Sequence, residues 1–221
     1  MTGYGIVRFT AAERVFHWAY AAAFMVLALT GAFLYVPWLP FSMAEAGETS
    51  RLLHRIFAVV LLASPLLPLI FSPRHVLADV REALTWTRDD VRYLWVSLTR
   101  YYWTGDLTGL PPQGKFTAGQ KANIAMQIGT FLVMAATGLL LWLGRGIVPV
   151  EVLRWSVILH GLAAVFASCF VIVHVYMTTA LPMTKEAIAS MVLGTIDEQY
   201  VREHHPRWYP GHSSRGAERE R

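Results

Sequence analysis

A chain of 221 residues in which 55% are hydrophobic and 15% charged is not an ordinary soluble domain, where about a quarter of residues carry charge. The net charge of +4 is modest, and no nucleic-acid partner is expected. The one cysteine, Cys169, excludes an intrachain disulfide, Cys-x-x-Cys-His attachment of a c-type haem, and any iron–sulfur cluster held by this chain alone.

Four apolar stretches are long enough to cross a hydrocarbon core of about 30 Å as helices rising about 1.5 Å per residue. In chain order they are residues 15–36, 52–71, 124–143 and 155–181. The first carries Ala19, Ala21 and Ala23, which resemble a signal-cleavage site. The apolar run before them falls short of the roughly 7–15 residues of a signal core, so the segment is read as a retained anchor. Between the second and third stretches, residues 80–103 mix basic side chains with Leu84, Trp86, Tyr93, Leu94, Trp95 and Leu98. Such a stretch either lies along the lipid headgroups or docks on the bundle as an ordinary cytoplasmic helix. Residues 104–114, with Gly105, Gly109, Pro111 and Pro112, form a turn-rich connection. In the fourth stretch, Cys169 is read as a small residue on a packed helix. No β pattern competes and no internal repeat is evident. The predicted class is all-α: an integral membrane four-helix bundle spanning residues 1–182, with a cytoplasmic loop or interfacial helix and a cytoplasmic C-terminal tail, residues 183–221.

Lys and Arg collect on cytoplasmic loops. The middle segment carries Arg74, Arg81, Arg88, Arg92, Arg100, Lys115 and Lys121, and the tail carries Lys185, Arg202, Arg207, Arg215, Arg219 and Arg221. With Arg8 and Arg14 at the start, this charge places both termini and the middle loop in the cytoplasm. Four crossings satisfy it.

A histidine in hydrocarbon is costly unless its nitrogens have partners, and so marks function. His17 opens the first stretch on the inner side, and His54 opens the second on the outer side. In the fourth, His160 lies outward and His174 inward. Only two pairs are level: His54 with His160, and His17 with His174. The fourteen residues from His160 to His174 make almost four turns, which puts both rings on one helix face about 21 Å apart. Two facing imidazole pairs are the axial set for two b haems, since each pair offers too few ligands for a closed zinc site. Gly31, Gly129, Gly138, Gly161 and Ala164 would let a flat macrocycle approach, or serve helix packing. Arg14, Arg51 and Arg55 are placed to meet haem propionates. His75, His204, His205 and His212 lie outside the apolar stretches and receive no role. At the start of the third stretch, Lys115, Thr117, Gly119 and Gln120 suit either a quinone headgroup or a helix cap.

These residues resemble the gamma (cytochrome b) subunit of membrane-bound formate dehydrogenases. The resemblance is carried by Arg8-Phe9-Thr10, Glu13-Arg14 and His17-Trp18, by Leu29-Thr30-Gly31 and Leu53-His54-Arg55, and by the 115–121 stretch. His160, His174, Asp197-Glu198 and Arg202-Glu203-His204-His205 complete it. It implies a di-haem four-helix bundle in the bacterial inner membrane and quinone reduction near the inner haem at Gly119 and His174. It also implies an iron–sulfur beta subunit fed by a molybdenum or tungsten alpha subunit, often as a trimer of heterotrimers. Formate itself would be oxidised elsewhere, and this chain would be the quinone-reducing subunit. The family usually has asparagine at the position of Thr117. The same architecture also serves hydrogenases and thiosulfate or other sulfur-compound reductases. A histidine-relay metal or proton transporter is the rival from another class, and it would be expected to carry intramembrane carboxylates, of which none is seen. A cofactor-free anchor would leave His174 unexplained.

Overall fold

Four helical stretches in the computed structural model are long and apolar enough to cross a membrane: Ala11–Tyr35, Gly47–Phe71, Ala118–Leu143 and Val150–Thr179. The structure describes residues 5–35 and 45–209, so Val36, His212, Arg215, Arg219 and Arg221 lie outside the described residues. The described residues are all-α apart from two short strands, and the four apolar helices among them make the chain an integral membrane protein. In chain order the elements are β1 (Ile6–Val7), α1 (Ala11–Tyr35), α2 (Glu45–Ala63), α3 (Leu66–Phe71), α4 (Pro73–Leu84) and α5 (Arg88–Val96). A π-helical turn at Ser97–Tyr101 leads into α6 (Tyr102–Thr104), and then come α7 (Ala118–Leu143), α8 (Val150–Thr179), α9 (Lys185–Leu193), β2 (Thr195–Ile196) and α10 (Glu198–His204).

The helices begin earlier than hydropathy predicts. α1 starts at Ala11, α7 at Ala118 and α8 at Val150, because polar first turns such as Gly119-Gln120-Lys121 are helical without being apolar. The second crossing is broken at Ser64-Pro65. A proline ring clashes with the carbonyl four residues back and removes a donor, so α2 stops at Ala63 and α3 resumes at Leu66. Along the crossings most large apolar side chains stay exposed, among them Leu29, Val59, Leu132, Leu162 and Val165. That is the pattern of helices solvated by lipid on one side. Cys169, on α8, is exposed as well.

The chain divides into two compact units. The first contains Ala11–Pro73 and Gln127–Val171. Its core is Ala23, Phe24, Leu61 and Ala167, with Tyr20, Phe57, Phe131 and Met134 packed around it.

The second unit contains residues 1–10, 74–126 and 172–221. Here β1 pairs antiparallel with β2, Ile6 opposite Ile196. Gly194 makes this possible: at φ 87° it ends α9 in the left-handed region that glycine adopts freely. Its carbonyl then accepts the N–H groups of Arg8 and Phe9 at 2.9 and 3.2 Å. Thr87 and Asp90 form a capping box at the start of α5. Helices α4 and α5 dock on the segment leading into α7 through polar bonds. Asp79 holds Lys115, Glu82 accepts the Phe116 N–H at 3.1 Å, and Asp90 pairs with Lys121 at 3.0 Å. Residues 80–103 are thus largely helical and held to the α7 segment, while Trp95 and Trp103 keep an exposed aromatic edge. His205 is 1% exposed, and its Nδ1–H donates to the Gly114 carbonyl at 2.7 Å. A residue left without a role by the sequence therefore ties α10 to the turn before α7.

Two predictions follow from this unit. The Lys121 and Asp90 side chains are 9% and 3% exposed, and removing one partner of a buried pair costs about 3–5 kcal/mol. Asp90→Ala, which also removes the cap, should lower the unfolding free energy by that amount in detergent denaturation. Burial, with the nearby Arg8 charge adding to it, pushes the His205 imidazole down from 6.5 to about 3. The unfolded chain therefore takes up a proton at this site before the folded one does. Stability from it is complete above pH 6.5 and is lost as pH falls toward 3. His205→Gln keeps a donor for Gly114 without titrating, and its thermal midpoint should fall less across that window than that of the unsubstituted protein.

Candidate functional site

His54 on α2 and His160 on α8 both belong to the first unit, and the fold brings them face to face. Their ring centroids are 6.3 Å apart with the planes at 62°. Each Nδ1 is held by a threonine: His54 by Thr30 Oγ1 at 2.9 Å and His160 by Thr137 Oγ1 at 2.9 Å. Each threonine hydroxyl donates its only proton to the carbonyl four residues back, Thr30 to Val26 at 2.7 Å and Thr137 to Val133 at 2.6 Å. The oxygens can therefore only accept from the rings. Both histidines are thereby held as the Nδ1–H tautomer, with a lone pair on Nε2.

Glycines seat the two rings. A Cβ added at Gly31 would lie 3.4 Å from His54 Cε1, and one added at Gly138 would lie 3.2 Å from His160 Cε1. In both cases the close neighbour is the imidazole itself. Gly161 receives the Tyr35 ring, with a built Cβ 3.5 Å from it, and nothing stands within 4 Å of a Cβ built at Gly129. Ala164 is partly buried on α8.

A porphyrin iron between the two rings fits this geometry. An imidazole nitrogen binds a transition metal at about 2.0–2.1 Å, and the ring centre lies roughly 1.1 Å behind it, so two trans imidazoles hold their centroids about 6.2–6.4 Å apart. Among the described residues, no group of three or more His, Cys, Asp or Glu gathers as a metal cage.

The remaining sequence candidates are placed as follows. His17 lies on α1 in the first unit, edge-on to Trp18 at 5.0 Å. His174 lies on α8 in the part that belongs to the second unit. Both are half-buried. Arg14 is half-buried and Arg51 exposed. Arg55 is exposed and lies over the Trp142 ring at 5.9 Å.

At the start of α7 the polar side chains already have protein partners. Thr117 and Gln120 cap the helix reciprocally: the Thr117 N–H donates to Gln120 Oε1 at 3.1 Å, and the Gln120 N–H donates to Thr117 Oγ1 at 3.4 Å. Gln120 Oε1 also accepts from Arg8 at 3.1 Å, and Arg8 donates to the Lys115 carbonyl at 2.8 Å. Burial lowers the Arg8 guanidinium to about 10. Lys115 Nζ pairs with both oxygens of Asp79, at 2.7 and 2.5 Å. Gly119 stands apart, facing the Tyr102 hydroxyl, which would lie 3.6 Å from an added Cβ.

Sequence reasoning missed Thr30 and Thr137, and it found no internal repeat. The signal is there once the helices are compared. Residues 27–35 of α1 read Leu-Ala-Leu-Thr-Gly-Ala-Phe-Leu-Tyr, and residues 134–142 of α7 read Met-Ala-Ala-Thr-Gly-Leu-Leu-Leu-Trp. Likewise Leu53-His54-Arg55-Ile56-Phe57-Ala58-Val59 on α2 answers Leu159-His160-Gly161-Leu162-Ala163-Ala164-Val165 on α8.

The family described as prokaryotic cytochrome b561 matches residues 8–194. The cytochrome b556(fdo) subunit of formate dehydrogenase from Escherichia coli (strain K12) is 29% identical over 208 residues, covering 92% of this chain and 92% of that protein. The cytochrome b556(Fdn) subunit of the nitrate-inducible formate dehydrogenase of the same strain is 25% identical, covering 92% and 90%. The formate dehydrogenase cytochrome b556 subunit of Haemophilus influenzae is 23% identical over 215 residues, covering 92% and 82%.

Proposed function

The chain belongs to the prokaryotic cytochrome b561 family, and from that premise we propose that it is the membrane-anchor cytochrome b subunit of a respiratory formate dehydrogenase. In this reading it passes electrons from an iron–sulfur beta subunit, through two b haems, to membrane quinone. A cytochrome b family implies haem b, and four apolar helices hold the chain in the membrane. The formate dehydrogenase assignment is supported by the three relatives, all of them formate dehydrogenase cytochrome subunits matched along more than four-fifths of their length.

The observation that carries the reading is the His54–His160 pair, whose 6.3 Å ring separation and paired Nδ1–H tautomers leave two Nε2 lone pairs for one iron. When bound there, a haem supplies a one-electron redox centre with no open coordination position. His17 and His174 would hold the second haem. Support for that pair lies in their inner depth in the sequence and in the fourteen-residue spacing from His160 to His174 on α8. Arg14, Arg51 and Arg55 would meet propionates. The alpha subunit carrying molybdenum or tungsten would oxidise formate, and the whole would assemble as a trimer of heterotrimers in the bacterial inner membrane with both termini of this chain cytoplasmic.

Quinone reduction would take place beside Gly119. Lys115, Thr117 and Gln120 shape that site through the cap and the Asp79 pair, and Gly119 lies half-buried beside the Tyr102 hydroxyl. Protons taken up from the cytoplasm would then complement electrons moved inward, each worth about 2.3 kcal/mol per 100 mV of membrane potential.

His54→Ala and His160→Ala should each lower the haem-to-protein ratio from two to one and abolish formate-to-quinone electron transfer. A reduced spectrum that retains both haems in either variant would falsify the ligand assignment. Gly119→Ala tests the quinone site separately. The added methyl meets only ordinary contact at 3.6 Å, and alanine is favoured over glycine in a helix by up to about 1 kcal/mol. The variant should keep both haems and its stability while losing at least roughly tenfold in quinone reduction.

A further inference from the structure

The outer imidazole pair is built twice over. In the first half, α1 presents Thr30-Gly31 to His54 on α2; in the second, α7 presents Thr137-Gly138 to His160 on α8. The contacts between the halves repeat the exchange. Tyr35, five residues after Thr30, packs on Gly161, the residue after His160. Trp142, five residues after Thr137, packs under Arg55, the residue after His54. With the matching strings on α1 and α7 and on α2 and α8, the first unit is two related helix hairpins facing one another across the two rings.

We propose that Thr30 and Thr137 are equivalent positioning residues, one on each hairpin, that orient the two outer axial ligands and set the electron density they deliver to the haem iron. This rests on the reading of His54 and His160 as haem ligands. An imidazole that donates its far N–H to a hydrogen-bond acceptor becomes a more basic ligand, which favours the ferric state. Each threonine oxygen is confined to accepting, because its own proton is committed to a backbone carbonyl in the helix at 2.6–2.7 Å. Asparagine or glutamine at these positions would bring a donor as well as an acceptor, and alanine or valine would bring neither. The glycine that follows each threonine lets the ring lie close enough for the bond, since a Cβ there would already be at 3.2–3.4 Å. Because the two halves are equivalent, the two threonines act in the same direction and to a similar degree.

The test uses the full membrane complex purified in detergent. Thr30→Val and Thr137→Val are nearly isosteric and remove the hydroxyl acceptor, leaving each ring only its backbone partner, Leu27 for His54 and Met134 for His160. Each variant should retain the haem-to-protein ratio of the unsubstituted complex and raise the midpoint potential of the outer haem. A threefold change in its reduction equilibrium is expected for each variant, about 28 mV at 59 mV per tenfold for one electron, and a ninefold change for the double variant. Thr30→Ser and Thr137→Ser, which keep the hydroxyl, should restore the original potential. Full haem content with an unchanged potential, or a shift from one threonine only, overturns the proposal while leaving the ligand assignment intact. Retention of both haems in His54→Ala or His160→Ala overturns the ligand assignment and the proposal with it. Should the valine variants fail to assemble, pulsed EPR of the unsubstituted ferric complex decides. The remote imidazole nitrogens of the outer haem should show the quadrupole coupling of a hydrogen-bonded N–H, and the coupling of a free N–H would overturn the proposal.

Discussion

An imidazole placed among apolar helices must have both nitrogens engaged, because an unpartnered polar atom in a water-poor interior costs several kcal/mol. In the first unit that constraint is met on one side of the His54 and His160 rings by a threonine hydroxyl, and under the proposed reading by a haem iron on the other. The rest of the unit follows from holding the two rings in this way. Glycines stand beside the threonines so that the rings can reach the hydroxyls. The aromatic side chains five residues on close the contacts between the hairpins, and the small core of Ala23, Phe24, Leu61 and Ala167 sets how closely the helices pack.

The second unit solves a different problem with different bonds. It is rich in charge, and its charges are neutralised in place: Lys115 by Asp79 and Lys121 by Asp90. The Asp90 carboxyl shows how the balance is struck. Burial by itself would raise its affinity for a proton, yet hydrogen bonds from Thr87 and Lys121 outweigh that and hold it below the ordinary carboxylate value. Arg8 stitches the amino-terminal strand to the cap of α7, and His205 fastens α10 to the same turn. The start of α7 is therefore a rigid platform assembled from four separated parts of the chain. Such preorganisation suits a site where a headgroup has to be oriented against a protonating surface.

Polar residues near the start of α7 illustrate how one motif can bear two meanings. Lys115, Thr117 and Gln120 offer the donors and acceptors a quinone needs, and they also offer what a helix terminus needs. The structure assigns them to the terminus, and with them the Arg8 and Asp79 contacts. Gly119, half-buried and with no side chain to commit, is the residue of that stretch whose substitution separates ligand binding from folding.

Much of this molecule is legible in its residues alone because a membrane restricts the solutions. Length and apolarity marked the four crossings, and loop charge supplied an orientation. The depth of His54 and His160 along their helices paired them before any distance was known, since two rings at one level of a bundle can meet and two at different levels cannot. The segment 80–103 stays open between two placements in the sequence, and its Asp79, Glu82 and Asp90 bonds to the α7 segment could not be read there, because those partners are some thirty residues away. Thr30 entered only as part of a resembling motif, and Thr137 not at all, for a related reason. A threonine in an apolar helix usually satisfies its hydroxyl on its own backbone, as these do, and nothing local tells that the same oxygen also accepts from a ring on the next helix. That second bond, like the burial of His205, exists only where tertiary packing brings distant helices within about 3 Å, and there the structure, not the sequence, made the decision.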